Sequence, residues 1–162
     1  MKLTDKRRQE IVEETQRTGK MNLFPKELEE MMKEFPLYSQ DGKREKAKVL
    51  VKFFNASGSG TWIALEGDKE GEDIEFFGYC CITDWEYGYF TLKELQDLQD
   101  KGFMIEIDLY STGETLEDYL KQEGQWEEYK ATFLKDDEEE EEQWFTTERK
   151  LKFTKIFLYC KN

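Results

Sequence analysis

The chain has 162 residues, 38% of them charged and 15% aromatic, and a formal net charge of −13. That length fits one domain with an appended element, and 12 Phe, 8 Tyr and 4 Trp suffice for a core, which excludes disorder over most of the chain. The acid excess sets the molecule against nucleic acid and anionic membranes, and in favour of basic protein surfaces.

Residues 4–18 are nearly all helix formers, with Gly19 placed as a C-cap, and predict a helix whose apolar content is thin (Ile11, Val12). Pro25 opens a short helix carrying Leu28, Met31 and Met32, and Phe35-Pro36 ends it. The stretch 39–42 is turn chemistry. Residues 47–54 and 61–66 read as two strands joined by the Gly/Ser turn at 55–60, and 67–72 as a second, polar turn. Residues 74–83 predict a third strand. The segment Tyr87-Gly88-Tyr89-Phe90 leads to Thr91, which forms a capping box with Glu94 and starts a helix that Gly102 ends. In 103–110, Ile105, Ile107 and Leu109 alternate with Glu106 and Asp108, a fourth strand. Two helical stripes follow, Leu116/Tyr119/Leu120 and Trp126/Tyr129/Phe133, then seven acids at 136–142 and a basic, aromatic strand at 151–160. The expected fold is α+β, an antiparallel sheet of about five strands flanked by helices. Its segments are a charged N-terminal helix (1–20), a core (21–110) and an acidic extension (111–162).

Charge is sorted along these segments. Residues 1–60 hold 13 Lys+Arg against 10 Asp+Glu, residues 61–148 hold 6 against 27, and residues 149–162 hold 5 against none. No stretch approaches the roughly 18 apolar residues of a membrane helix. The opening charges are not followed by the apolar run of a signal peptide. Cysteines 80, 81 and 160 cannot all pair internally, so reduced thiols and a cytoplasmic setting are expected.

Catalytic patterns are scarce. Histidine is absent, which removes the commonest general base and metal ligand. Cys80 and Cys81 point to opposite strand faces and cannot share a zinc. A calcium loop starting at Glu66 would have Gly71 at its sixth position, but its twelfth is Phe77 where a bidentate Glu is required. Residues 57–60 lack the Gly-Lys-Ser/Thr ending of a phosphate cradle. Glu106 and Asp108, about 7 Å apart on one strand face, are in range for a catalytic carboxylate pair, and solvated acids on a strand face are the commoner reading. No enzyme activity, cofactor or metal is expected.

The blocks Pro25-Lys26-Glu27-Leu28, Pro36-Leu37-Tyr38-Ser39, Val51-Lys52-Phe53-Phe54, Thr61-Trp62-Ile63-Ala64-Leu65-Glu66-Gly67, Phe76-Phe77-Gly78, Glu86 through Leu95, and Glu106 through Tyr110 follow one another in a known order. Together, over roughly residues 23–110, they resemble the domain-of-unknown-function family 2958, small bacterial proteins often found on plasmids, phages and integrative elements. The resemblance implies bacterial, mobile-element biology and carries over no activity. Beyond Tyr110 the chain departs from the blocks, so the acidic extension reads as an addition.

Acids in such excess, on strands and helices as well as in a run, imitate the spaced charges of a duplex to a protein that binds DNA through Lys and Arg. The expected function is an anti-CRISPR or anti-restriction interaction protein with a DNA-mimic surface. Its natural partner is a CRISPR effector nuclease or a restriction enzyme, since both hold nucleic acid in basic channels. Candidate contacts are Glu117, Asp118, Glu127, Glu128, Asp136, Asp137, Glu138 and Glu139, with Trp126, Tyr129, Trp144 and Phe145 as apolar anchors. One alternative is a ligand-binding or hydrolytic core at Trp62, Tyr87, Tyr89, Phe90 and Asp108. Another is a nucleic-acid binder using Arg7, Arg8, Lys43, Arg44, Lys46 and Lys48.

Overall fold

The computed structural model describes residues 1–111 and 113–134. Its fold is α+β, with five helices and a five-stranded antiparallel sheet among the described residues. By chain contacts it divides into one unit spanning Met1–Asp118 and a second beginning at Tyr119.

Helix α1 (Asp5–Thr18) is capped at both ends by its own sequence. The Thr4 hydroxyl accepts from the Arg7 N–H, and Gly19, at φ 77°, donates back to the Thr15 carbonyl. Its thin apolar stripe is enough to dock it: Ile11 is buried in the core. Helix α2 (Lys26–Met32) starts after Pro25 and buries Leu28 and Met32. The two helices are joined by an ion pair, with Arg7 Nε 2.7 Å from Glu27 Oε1.

The sheet follows in the order β4-β3-β2-β1-β5. Strands β1 (Val51–Asn55), β2 (Thr61–Glu70), β3 (Asp73–Cys81) and β4 (Trp85–Thr91) form a meander of hairpins. Helix α3 (Leu92–Asp100) then carries the chain from β4 at one edge to β5 (Ile105–Ile107) beside β1 at the other. It opens with the expected capping box of Thr91 and Glu94. One sheet face is covered by α1, α2 and α3 and holds the core of Val51, Phe53, Trp62, Ile74, Phe76, Phe90, Ile105 and Ile107 with Leu28 and Leu95. Phe76 sits between Phe53 and Phe90, at centroid distances of 5.5 and 5.3 Å.

Three elements differ from the sequence reading. The polar stretch 67–70 continues β2, and only residues 71–72 turn, with Gly71 at φ 61°. Trp85–Thr91 is a full strand rather than a lead-in to α3; it pairs with β3 along its whole length. The strand expected over 103–110 is regular only at Ile105–Ile107, with single backbone bonds at Met104 and Asp108 on either side. The fifth strand is therefore β4, and the basic strand expected at 151–160 lies outside the described residues.

A bulge at Leu65 shifts the register between β2 and β3: Ala64 faces Gly78, while Glu66 faces Phe77. Ala64 belongs to the core face, and the extra residue turns Glu66 to the opposite face. Glycine is required at 78, where a Cβ would lie 2.0 Å from the Ile63 carbonyl oxygen.

Helix α4 (Leu116–Gln122) crosses the division between the units, and α5 (Trp126–Phe133) lies in the second. Within that second unit Tyr129 stacks on Trp126 at 5.5 Å and meets Phe133 at 5.1 Å.

Candidate functional site

Alternation along β2 and β3, reset by the bulge, puts Glu66, Asp68 and Glu70 on the sheet face opposite the one that α1, α2 and α3 cover. Directly opposite them stand Phe77, Glu75 and Asp73. Two of these three pairs, Asp68 with Glu75 and Glu70 with Asp73, set like charges against each other. Residues 68–72 are all exposed.

The carboxylates are held differently. Asp73 is structural: its Oδ1 accepts from the N–H of Ile74 at 2.7 Å and of Lys93 at 3.1 Å, which ties the hairpin to the start of α3. Its carboxyl lies below the ordinary value; partial burial pushes it up, and these N–H bonds with the Thr91 hydroxyl outweigh that. Glu66 is buried, at 3% exposure. One oxygen accepts from the Tyr38 N–H at 2.8 Å, the other from the Gln40 N–H. Gln40 extends the connection, donating to the carbonyls of Leu65 (2.6 Å) and Lys48 (2.9 Å) and accepting from the Lys48 N–H at 2.7 Å. So held, the turn keeps Tyr38 at φ 70°, a left-handed conformation unusual for a bulky residue. Its ring stays 66% exposed.

Beside the carboxylates runs an aromatic row. Phe77 lies 5.0 Å from Tyr89 and 6.0 Å from Tyr87, and Tyr79 lies 5.1 Å from Tyr87 and 4.8 Å from Trp85. Interaction with the Tyr38 phenol first, and then burial and the nearby charges of Glu66 and Glu75, hold the Tyr89 phenol above its ordinary pKa.

A family model described as a protein of unknown function (DUF2958) matches residues 23–127. The chain belongs to the DUF2958 family. The DUF2958 match runs past Tyr110, where the sequence blocks end, through α4 to the start of α5. Glu117, Asp118 and Trp126 thus lie within the DUF2958 segment rather than in an addition to it. Tyr38, Glu66 and Tyr89 belong to three separate sequence blocks, and the fold brings them together. No curated protein and no solved structure matches the chain.

The described residues among those expected to contact a partner lie on α4 and α5. Asp118 caps the start of α4: its Oδ2 accepts from the Thr115 hydroxyl at 2.7 Å and the Thr115 N–H at 3.2 Å. Glu117 is half-buried in the same helical turn. Glu127 pairs with Lys130 at 2.9 Å, and Glu128 is exposed. Trp126 carries Lys121 and Lys130 ammonium groups 5.2 and 5.9 Å from its ring centre. Tyr129 is only 1% exposed and packs between Trp126 and Phe133. Asp136, Asp137, Glu138, Glu139, Trp144 and Phe145 lie outside the described residues.

The alternative aromatic core is not assembled. Trp62 and Phe90 are buried on the helix-covered face, while Tyr87 and Tyr89 stand on the other. Asp108 accepts from the Tyr110 N–H at 2.8 Å in a local turn. Of the basic ends, Arg7 is paired with Glu27 and Glu10, and Arg8 with Asp5 while lying over the Tyr110 ring. Burial first, and then the charge of Glu86, push the Cys80 thiol up to about 12, which leaves it unreactive. Among the described residues no group of three His, Cys, Asp or Glu stands where it would hold a metal ion, and no helix is long and apolar enough to cross a membrane.

Sequence reasoning missed the Tyr38–Glu66–Tyr89 arrangement and the carboxylate ladder. The period-two spacing of Glu66, Asp68 and Glu70, mirrored by Asp73 and Glu75, was the available signal.

Proposed function

We propose that this protein is a mobile-element interaction protein that binds and inhibits a nucleic-acid-handling bacterial defence protein through the acid-lined sheet face. The observation that carries the reading is the pair of like-charge matches, Asp68 with Glu75 and Glu70 with Asp73. Directly opposed like charges destabilise a sheet by a few tenths to about 1 kcal/mol each. Asp73 also anchors the hairpin through the Ile74 and Lys93 N–H groups, so it is the match of Asp68 with Glu75 in particular that brings the fold no stability, and its value lies in what it attracts. Alternate strand residues are about 7 Å apart, so the strands present the negative charges at regular spacing. A basic channel evolved for phosphates meets a competing ligand there. The partner class is a CRISPR effector nuclease or a restriction enzyme.

The test is inhibition of purified nucleases of both kinds, with DNA cleavage as the readout at low and raised salt. Inhibition at low salt that weakens as salt rises is expected, and the triple variant Asp68→Asn/Glu70→Gln/Glu75→Gln should lose it at least about tenfold. Inhibition by the triple variant equal to that of the unchanged protein rules out this face.

A further inference from the structure

We propose that Tyr38 and Tyr89 form the seat for one arginine side chain of the basic partner, its guanidinium lying on the phenol rings with Glu75 as counter-charge. The inference rests on the reading that the acid-lined face takes a basic protein. It names the partner group and the point of capture.

Four observations carry it. Both rings are exposed, Tyr38 at 66% and Tyr89 at 53%, unlike the core aromatics Phe53, Phe76 and Phe90. Tyr89 leans on Phe77 with centroids 5.0 Å apart, and Phe77 stands directly opposite Glu66, whose carboxylate holds the Tyr38 N–H at 2.8 Å, so both tyrosines are anchored to the same stretch of sheet. Glu66, through the Tyr38 and Gln40 N–H groups, sets the position of the Tyr38 turn. Finally, Glu75 stands two residues before Phe77 on the same face, beside Thr91 of β4, which is itself two residues beyond Tyr89.

Exposed aromatic faces in a negative field select cations, and they select guanidinium over ammonium. Guanidinium is planar and weakly hydrated, so it lies flat on a ring and still offers N–H donors to a carboxylate at the edge. An ammonium is a compact, strongly hydrated charge that the ladder of Asp68 and Glu70 attracts equally well without the rings.

The experiment compares nona-arginine and nona-lysine peptides, equal in charge, by fluorescence anisotropy with the full chain. Nona-arginine should bind about threefold to tenfold more tightly. Tyr89→Leu and Tyr38→Asn should abolish that preference and leave nona-lysine affinity unchanged; asparagine tolerates the left-handed backbone at 38, so the turn survives. Tyr89→Phe should keep most of the preference. Asp68→Asn/Glu70→Gln should weaken both peptides alike. Equal binding of the two peptides, or a preference that survives Tyr89→Leu and Tyr38→Asn, overturns the arginine seat; the acidic-face reading stands if Asp68→Asn/Glu70→Gln still weakens both. Failure of both peptides to bind, or indifference to Asp68→Asn/Glu70→Gln, overturns the acidic-face reading and the seat with it.

Discussion

Glu66 shows how one buried carboxylate organises a surface. Its two oxygens each accept a backbone N–H, and a carboxylate is the one side-chain group that accepts twice without presenting a donor. Glu66→Gln turns an NH2 group toward one of those N–H donors. It is expected to lower stability by about 1–3 kcal/mol in urea denaturation, the cost of an unsatisfied buried donor. Gly78 sets a harder limit. A methyl group there meets the Ile63 carbonyl at 2.0 Å, and that neighbour is backbone in the adjacent strand. Gly78→Ala should therefore cost more than about 3 kcal/mol or prevent folding, read by circular dichroism and thermal melting. Gly71 has open space around it, so a substitution there meets only backbone strain at φ 61°.

At the scale of elements, α1 and α2 are locked by Arg7 and Glu27. Partial burial pushes the Glu27 carboxyl up, but the hydrogen bond and charge of Arg7 hold it below its ordinary value of 4.5. A depressed folded pKa gives stability that is fully present above about pH 4.5 and is lost as pH falls through the lower folded value. The pair is about one-third exposed, so the effect is at most about 1 kcal/mol. Arg7→Ala should flatten that part of the stability profile, measured by denaturation between pH 3 and 6, about 1 kcal/mol at most. The helices were legible from sequence because their signals are local: Thr4 and Gly19 on α1, Pro25 on α2, the Thr91/Glu94 box on α3. The α+β class and the DUF2958 resemblance followed from the same local blocks. The β2–β3 hairpin was only half legible. Gly67, Asp68 and Glu70 have turn composition, and what makes them strand is pairing with Phe76, Glu75 and Asp73, a tertiary fact. Strand β4 was hidden for the same reason, since Tyr87-Gly88-Tyr89 acquires meaning only beside Tyr79, Gly78 and Phe77. The Leu65 bulge has no composition signal, and without it Glu66 is assigned to the wrong face.

For the whole molecule, the acid-lined face makes stability depend on salt. Opposed carboxylates at Asp68/Glu75 and Glu70/Asp73 repel, and salt screens exposed charges over about 8–10 Å. The melting temperature should rise between low and physiological ionic strength, and Asp68→Asn/Glu75→Gln should raise it at low salt while reducing that dependence. An unchanged salt slope in this double variant would mean that the pairs do not repel appreciably.

The strand order also dictates a sequence of events in time. Strands β1 to β4 close through short hairpins, whereas β5 reaches β1 only after the chain has passed along three other strands and α3. Pairing of Phe53 with Ile107 closes the longest loop in the sheet for the fewest ladder bonds, three residues of edge strand. Strand β5 is therefore expected to join last during folding and to open first afterwards, and its amides should exchange with deuterated solvent well before those of β2 and β3.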